Sequence, residues 1–391
     1  MNDFIVPLEE QSVIEGNLSA GLVPSFTEKG GGLAVDRHER RGLIRACEGA
    51  RRAILGLVAL TLGLAAPPMS AAESTADETA TPTLAEVAEA FGFSPRDVEK
   101  MLSGRPVLGD LKSVSDNELA LSAMMMTRRP LAWHVERLEA HRSADPTLTE
   151  MRRLEGDGRA SLEALTLPDE EIDRLAKARV GDDYNFSAAE VEALQAAAAG
   201  QADATKRRAE ILEAFRSILA DRFVTYRDKG LQSITAYDRG GGDVSDPAKQ
   251  LRRALGELRT TRELAPRVVA AIVEHPRPPD PTVRTEYLWL VNDAEGQILV
   301  SLAHRVFGRQ DDAAVVIEQR FFIDQTLNGM QAAAVAVPVQ EGTAVLYANR
   351  TATDLVTGFG SSIAKEIGET LMKREIDRLV DAFLEESNEL R

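Results

Sequence analysis

Cysteine is nearly missing from this chain: Cys47 is the only one among 391 residues. A fold held by disulfides and a cysteine-built metal site are therefore excluded, and a chain of this length has room for a core that needs neither. Histidine is scarce, five in all, and beyond His38 the residues His134, His141, His275 and His304 are widely scattered, so no zinc-ligand spacing occurs. Aromatic residues make up 5% of the chain, a composition that suits helices and a modest sheet rather than an aromatic-rich binding surface. Positive charge is in deficit as well. The net charge of −16 repels a phosphate backbone, so nucleic acid is not an expected partner. There is no Gly-x-Ser-x-Gly elbow, no P-loop and no dinucleotide fingerprint. No catalytic residue, cofactor or metal ligand is assigned.

What is present begins with an address. Arg40, Arg41, Arg45, Arg51 and Arg52 flank an apolar stretch, Ala53 to Ala66, followed by Pro67-Pro68 and the small residues Ser70-Ala71-Ala72. A positive flank, a short apolar run and a small-residue site are the parts of a secretory signal, and the run is shorter than the ~20 residues that span a bilayer. We read residues 37–72 as a signal peptide cleaved after Ala72; a buried core helix and an uncleaved anchor are the competing readings. Arg40-Arg41-Gly-Leu-Ile-Arg45 resembles the twin-arginine export pattern, although the apolar run starts far downstream of it. Residues 1–36 are polar and Gly-rich, which suits a disordered lead or a translation start placed too far upstream. Residues 73–82, a Ser/Thr/Ala/Glu tract, read as a flexible lead-in.

The expected fold starts at Thr83. Thr83-Leu-Ala-Glu86 is a capping box and Ser94-Pro95 opens a second helix, which together predict a helical hairpin over residues 83–104. Pro106 to Lys112 and Glu118 to Thr127 read as strands, and a helix follows from Pro130. Residues 142–200 are polar with short helical pieces and are read as a helical insertion. Amphipathic helices follow around Ile211 to Phe223, Leu251 to Leu258 and Val268 to Val273. After Pro276, Pro278, Pro279 and Pro281 the apolar period changes from 3.6 to 2. Five strands are predicted, Tyr287 to Val291, Ile298 to Phe307, Ala314 to Ile323, Ala332 to Val339 and Thr343 to Arg350; their short connections favour antiparallel pairing. A long helix from Ser361 carries Ile363, Ile367, Met372, Ile376, Leu379, Val380 and Phe383 on one stripe. The fold class is α+β: an antiparallel sheet with a long C-terminal helix and a helical insertion, spanning residues 105–390.

That order of elements, from Pro106 to Leu384, resembles the helix-grip fold of the START-like lipid-transfer superfamily. The stretches Arg320-Phe-Phe-Ile-Asp-Gln-Thr-Leu-Asn-Gly-Met-Gln331 and Leu346-Tyr-Ala-Asn-Arg-Thr351 also look like those of a group of exported bacterial proteins with no assigned function. The helix-grip resemblance implies an apolar cavity between sheet and closing helix, suited to a lipid or another apolar small molecule. A packed core has the same periodicity, so a solid protein that serves a structural or partner-binding role is the alternative.

Five strand residues are candidates for ligand contact. His304 shares the alternation of Ile298, Val300, Leu302 and Val306, which places it on an apolar face as a ligand donor or as a satisfied core histidine. Glu318 and Arg320 lie two apart on one face, as an ion pair or a ligand clamp; Tyr347 and Asn349 share a face in the same way. The expected protein is thus periplasmic or secreted, without a stable membrane span after cleavage, and binds an apolar ligand. N-terminal sequencing of material recovered from periplasm or medium should begin at Glu73, and a terminus between Met1 and Ala50 would overturn the signal reading.

Overall fold

The computed structural model describes residues 81–139, 145–182, 184–294, 296–310, 312–357 and 361–389. The signal segment, the Ala72 cleavage site and most of the lead-in lie outside the described residues. The chain is anchored where its description starts: Gln340 donates its backbone N–H to the Pro82 carbonyl at 3.0 Å, and Leu84 N–H donates to Glu341 Oε2 at 3.0 Å.

Helices α1 (Leu84–Ala90) and α2 (Pro95–Leu102) form where their caps dictate. Both Thr83 and Ser94 make reciprocal capping boxes, with Glu86 and Asp97, so the predicted hairpin is present. Strands β1 (Val107–Asp110) and β2 (Glu118–Thr127) follow, then α3 (Leu131–Glu139). The segment read as a helical insertion also holds a strand. It contains strand β3 (Leu148–Arg153) before helices α4 (Arg159–Leu162), α5 (Asp169–Leu175) and α6 (Ala188–Ala199). The reason is positional. β3 is an edge strand with no residue below intermediate exposure, so Leu-Thr-Glu-Met-Arg-Arg lacks the apolar alternation that reveals half-buried strands.

The helical excursion also runs further than its sequence boundary. It continues through α7 (Ala204–Lys229), a short hairpin of β4 (Tyr237–Gly240) and β5 (Asp243–Ser245), α8 (Pro247–Gly256), α9 (Arg259–Leu264) and α10 (Pro266–Val273). Its two ends enter and leave neighbouring strands, because β3 pairs with β6 (Arg284–Ala294). β7 (Gln297–Gln310), β8 (Ala313–Ile323), β9 (Gly329–Val339) and β10 (Gly342–Ala352) complete a meander, and α11 (Ser361–Glu389) closes the chain. The eight-stranded sheet has the order β1-β2-β10-β9-β8-β7-β6-β3, antiparallel throughout.

Both faces of this sheet are covered, which is why β8 is buried at every position. On one face Trp289, Val300, Leu302, Phe321 and Phe322 pack with Phe215, Leu219 and Phe223 of α7; beside them Val315, Ile317 and Val335 meet Leu255 of α8, Val268 and Ile272 of α10, and Leu84 of α1. On the opposite face Ala314, Val316, Ala334, Ala336 and Val345 lie beneath α3 and α11, against His134 and Phe383. The architecture is α+β, with a large antiparallel sheet and a long C-terminal helix. Among the described residues no helix is long and apolar enough to cross a membrane.

The turn that ends α7 requires glycine. Gly230 has φ +71°, and a Cβ there would lie 2.6 Å from the His275 carbonyl oxygen. We expect Gly230→Ala to cost roughly 1–3 kcal/mol in urea unfolding; an unchanged midpoint would contradict the close approach.

Candidate functional site

Cross-strand register decides which polar strand residues meet. Glu286 stands opposite Arg305, and Arg305 opposite Glu318, so one row on the face toward α11 carries alternating charge over three strands. Arg305 Nη2 donates to Glu318 Oε2 at 2.6 Å and its Nη1 reaches Glu286 Oε1 at 3.5 Å. Arg320 Nε donates to the other oxygen, Glu318 Oε1, at 3.1 Å. The predicted same-face ion pair of Glu318 and Arg320 is therefore present, and a second guanidinium shares the carboxylate. Glu318 and Arg320 are wholly buried.

The row extends beyond its charges. Arg320 Nη1 donates to Asn292 Oδ1 at 3.0 Å, and Asn292 Nδ2 donates to Asp145 Oδ2 at 2.7 Å and Thr147 Oγ1 at 3.0 Å. Burial raises the Asp145 pKa, against the lowering effect of its Thr147 hydrogen bonds and of Arg320. Tyr347 feels the charges of Glu318, Arg320 and Asp145, and burial holds its hydroxyl well above the usual tyrosine range. Asn349 Nδ2 donates to Tyr347 Oη at 3.0 Å, and Thr351 Oγ1 donates to Asn349 Oδ1 at 2.8 Å. Four of the five candidate residues thus share one face and one electrostatic neighbourhood.

His304 does not join them. It faces the other side, where its Nδ1 lies 3.0 Å from Tyr226 Oη of α7 and its Nε2 2.7 Å from Thr285 Oγ1. Gln319 Nε2 donates to Tyr226 Oη at 2.9 Å. The His275 ring lies 4.6 Å from that of His304, and the Tyr287 ring stacks on His304 at 4.7 Å. Burial lowers both histidine pKa values, and His275 further lowers that of His304. A site that combined His304 with Glu318 and Arg320 would need to cross the sheet, so acid–base work by the three together is geometrically excluded.

A third cluster lies between α3, α11 and the sheet. It encloses a cavity of about 20 Å³, lined by Ala314, Val316, Ala334, Ala336 and Val345 below, and by His134, Arg137 and Phe383 above. That volume accommodates about one water molecule. His134 Nε2 contacts Thr127 Oγ1 at 2.9 Å, and burial together with Arg137 pushes its pKa down to about 4. Arg137 pairs with Glu386 of α11 and lies 5.3 Å over the Phe383 ring. Sequence reasoning did not single out Arg137, Arg305, Asn292, Asp145, Tyr226 or His275. Spacing in the chain holds a signal for Arg305, which alternates with Ala303 and Phe307, but its partners become visible only through register.

Among the described residues no group of three or more His, Cys, Asp or Glu side chains could hold a metal ion. No protein-family model matches the chain, and a search of curated proteins returns no match.

Two outcomes follow. Glu318→Ala would leave Arg305 and Arg320 without the carboxylate they share, and we expect a loss of about 3–5 kcal/mol in denaturant unfolding; a loss under about 1 kcal/mol would mean that the row is hydrated rather than buried. For the histidines, the folded-state pKa values are lowered, so the unfolded chain takes up protons first. Their stabilising contribution is complete above the unfolded value of about 6.5 and is lost as pH falls from there toward the folded values. Urea midpoints compared at neutral and mildly acidic pH should drop less in His304→Gln than in the wild type, and equal drops would show that His304 does not titrate on unfolding.

Proposed function

We propose that the protein is an exported, helix-grip-type binding protein that holds an apolar ligand between its sheet and α11. The observation that carries this reading is the position of the cavity: it lies under the closing helix, floored by Ala314, Ala334 and Ala336. Small side chains at paired positions of β8 and β9 leave space on this face beneath α3 and α11. The strand order supports the reading too, with β6 to β10 as a meander, β2 returned beside β10, and a long helix running from the last strand across one face. The charged signal-like segment ahead of the described residues supports a periplasmic or secreted location.

A specific observation favours the second reading, a solid structural or partner-binding protein. Drug-sized ligand sites measure about 300–1,000 Å³, whereas this cavity measures about 20 Å³. Ligand uptake therefore requires α3 and α11 to move apart. Native mass spectrometry and lipid extraction of protein purified from an exporting bacterium separate the two readings. The binding reading expects a co-purified apolar molecule, with lower occupancy in Ala336→Leu, whose larger side chain fills the floor. An empty wild-type protein that also takes up no apolar probe would leave the solid-core reading.

A further inference from the structure

The ion pair between Arg137, which lines the cavity, and Glu386 extends the apolar-ligand reading to a class of ligand. Arg137 is buried, with its side chain 3% exposed, whereas its partner Glu386 keeps 30% exposure near the end of α11. The guanidinium is thus an interior feature, and the carboxylate that meets it arrives from the surface. Arg137 also lies 5.6 Å over the Trp133 ring and 5.3 Å over the Phe383 ring, so aromatic faces fix it beside the cavity.

We propose that the site takes an anionic amphiphile, a carboxylate on an apolar chain, whose head group occupies the place on Arg137 that Glu386 holds in this structure. The proposal rests on the apolar-ligand reading. The chain would lie over Ala314 and its cross-strand neighbour Ala336, with Val345 beyond it on β10. His134, with its pKa pushed down to about 4, is neutral at pH 7, which leaves Arg137 as the cation of the cavity lining.

Displacement and opening are linked in this arrangement. Arg137 of α3 with Glu386, and Arg129 just ahead of α3, whose Nε donates to the Ser387 carbonyl at 2.7 Å, tie α3 and its lead-in to the same last turns of α11. A head group that replaces Glu386 removes one of these ties at the end where the chain would enter. A neutral amphiphile that displaced Glu386 would leave a buried guanidinium without that carboxylate, which is costly, so selectivity for anions follows from burial.

The test is calorimetric titration of the purified protein with dodecanoate and with dodecanol, on wild type, Glu386→Gln and Arg137→Met. Trp133 emission reports the site, because the chain's other tryptophan, Trp289, is buried in the cluster on the opposite face. The expected result is dodecanoate binding to the wild type, dodecanol binding weaker by about tenfold, and Glu386→Gln binding dodecanoate tighter by a similar factor. Arg137→Met should bring dodecanoate down to the level of dodecanol. Equal binding of the two probes by the wild type would overturn the anion site and leave the apolar-ligand reading standing. Binding of neither probe, by wild type or by Glu386→Gln, would overturn both. Dodecanoate binding unaffected by Arg137→Met also overturns the proposal, since the head group would then sit elsewhere.

Discussion

Covering an antiparallel sheet with helices on both faces removes its strand side chains from water, and every polar residue on those strands must then find its partners inside the protein. The chain meets this constraint differently on the two faces. Toward α11 it uses charge, with Glu318 shared by Arg305 and Arg320 and the row continued through Asn292 to Asp145. Toward the helical excursion it uses neutral groups, with His304, Tyr226, Thr285 and Gln319 bonded to one another. A one-residue slip of register would exchange these sets between faces and leave the charges without partners, so the rows specify pairing beyond what apolar packing alone provides.

The excursion between β3 and β6 is held to the sheet at two ends with opposite acid–base character. At one end burial lowers the pKa values of His275 and His304. At the other, Asp324 at the end of β8 and Glu171 of α5 are raised, chiefly by burial, and each acid also bears on the environment of Tyr184. Acidification therefore weakens the histidine end, whereas the raised carboxyls are stabilised below their ordinary range and penalised as pH rises through their folded values. At the carboxyl end, Asn185 Nδ2 donates to the carbonyls of Ile323 and Leu327, and Arg239 joins Asn185, Asn328 and Asp354. The turn within the Arg320 to Gln331 stretch, between β8 and β9, is this docking turn. Thr326 within it takes φ +61°, a left-handed conformation unusual for a β-branched residue, and its carbonyl accepts from Thr353 Oγ1 at 2.9 Å.

Legibility in the sequence tracked burial. Strands β7 to β10 and their short turns were readable as apolar runs bounded by turn residues, and α11 by the helical spacing of Met372, Ile376, Leu379, Val380 and Phe383, whereas Ile363, expected on the same stripe, is exposed at the start of the helix. The caps at Thr83 and Ser94 were readable because their partners lie three residues away. Strand β3 was not, since an exposed edge has no such repeat. The extent of the excursion was hidden for another reason: its ends meet through the pairing of β3 with β6, and a strand pair whose members lie as far apart in the chain as Arg153 and Arg284 leaves no local mark.

The candidate site divides along the same line. The sequence by itself determined that Glu318 and Arg320 share a face, that Tyr347 and Asn349 share one, and that His304 lies among apolar neighbours, because strand geometry alternates side chains with period two. Only the tertiary structure decided that His304 lies across the sheet from the other four, that Arg305 completes the ion pair, and that Arg137, above the alanine floor, meets Glu386 of a helix distant in the chain. Each of these depends on strand register or on helix placement, which are set by contacts between residues far apart in the chain and carry no signature in local spacing.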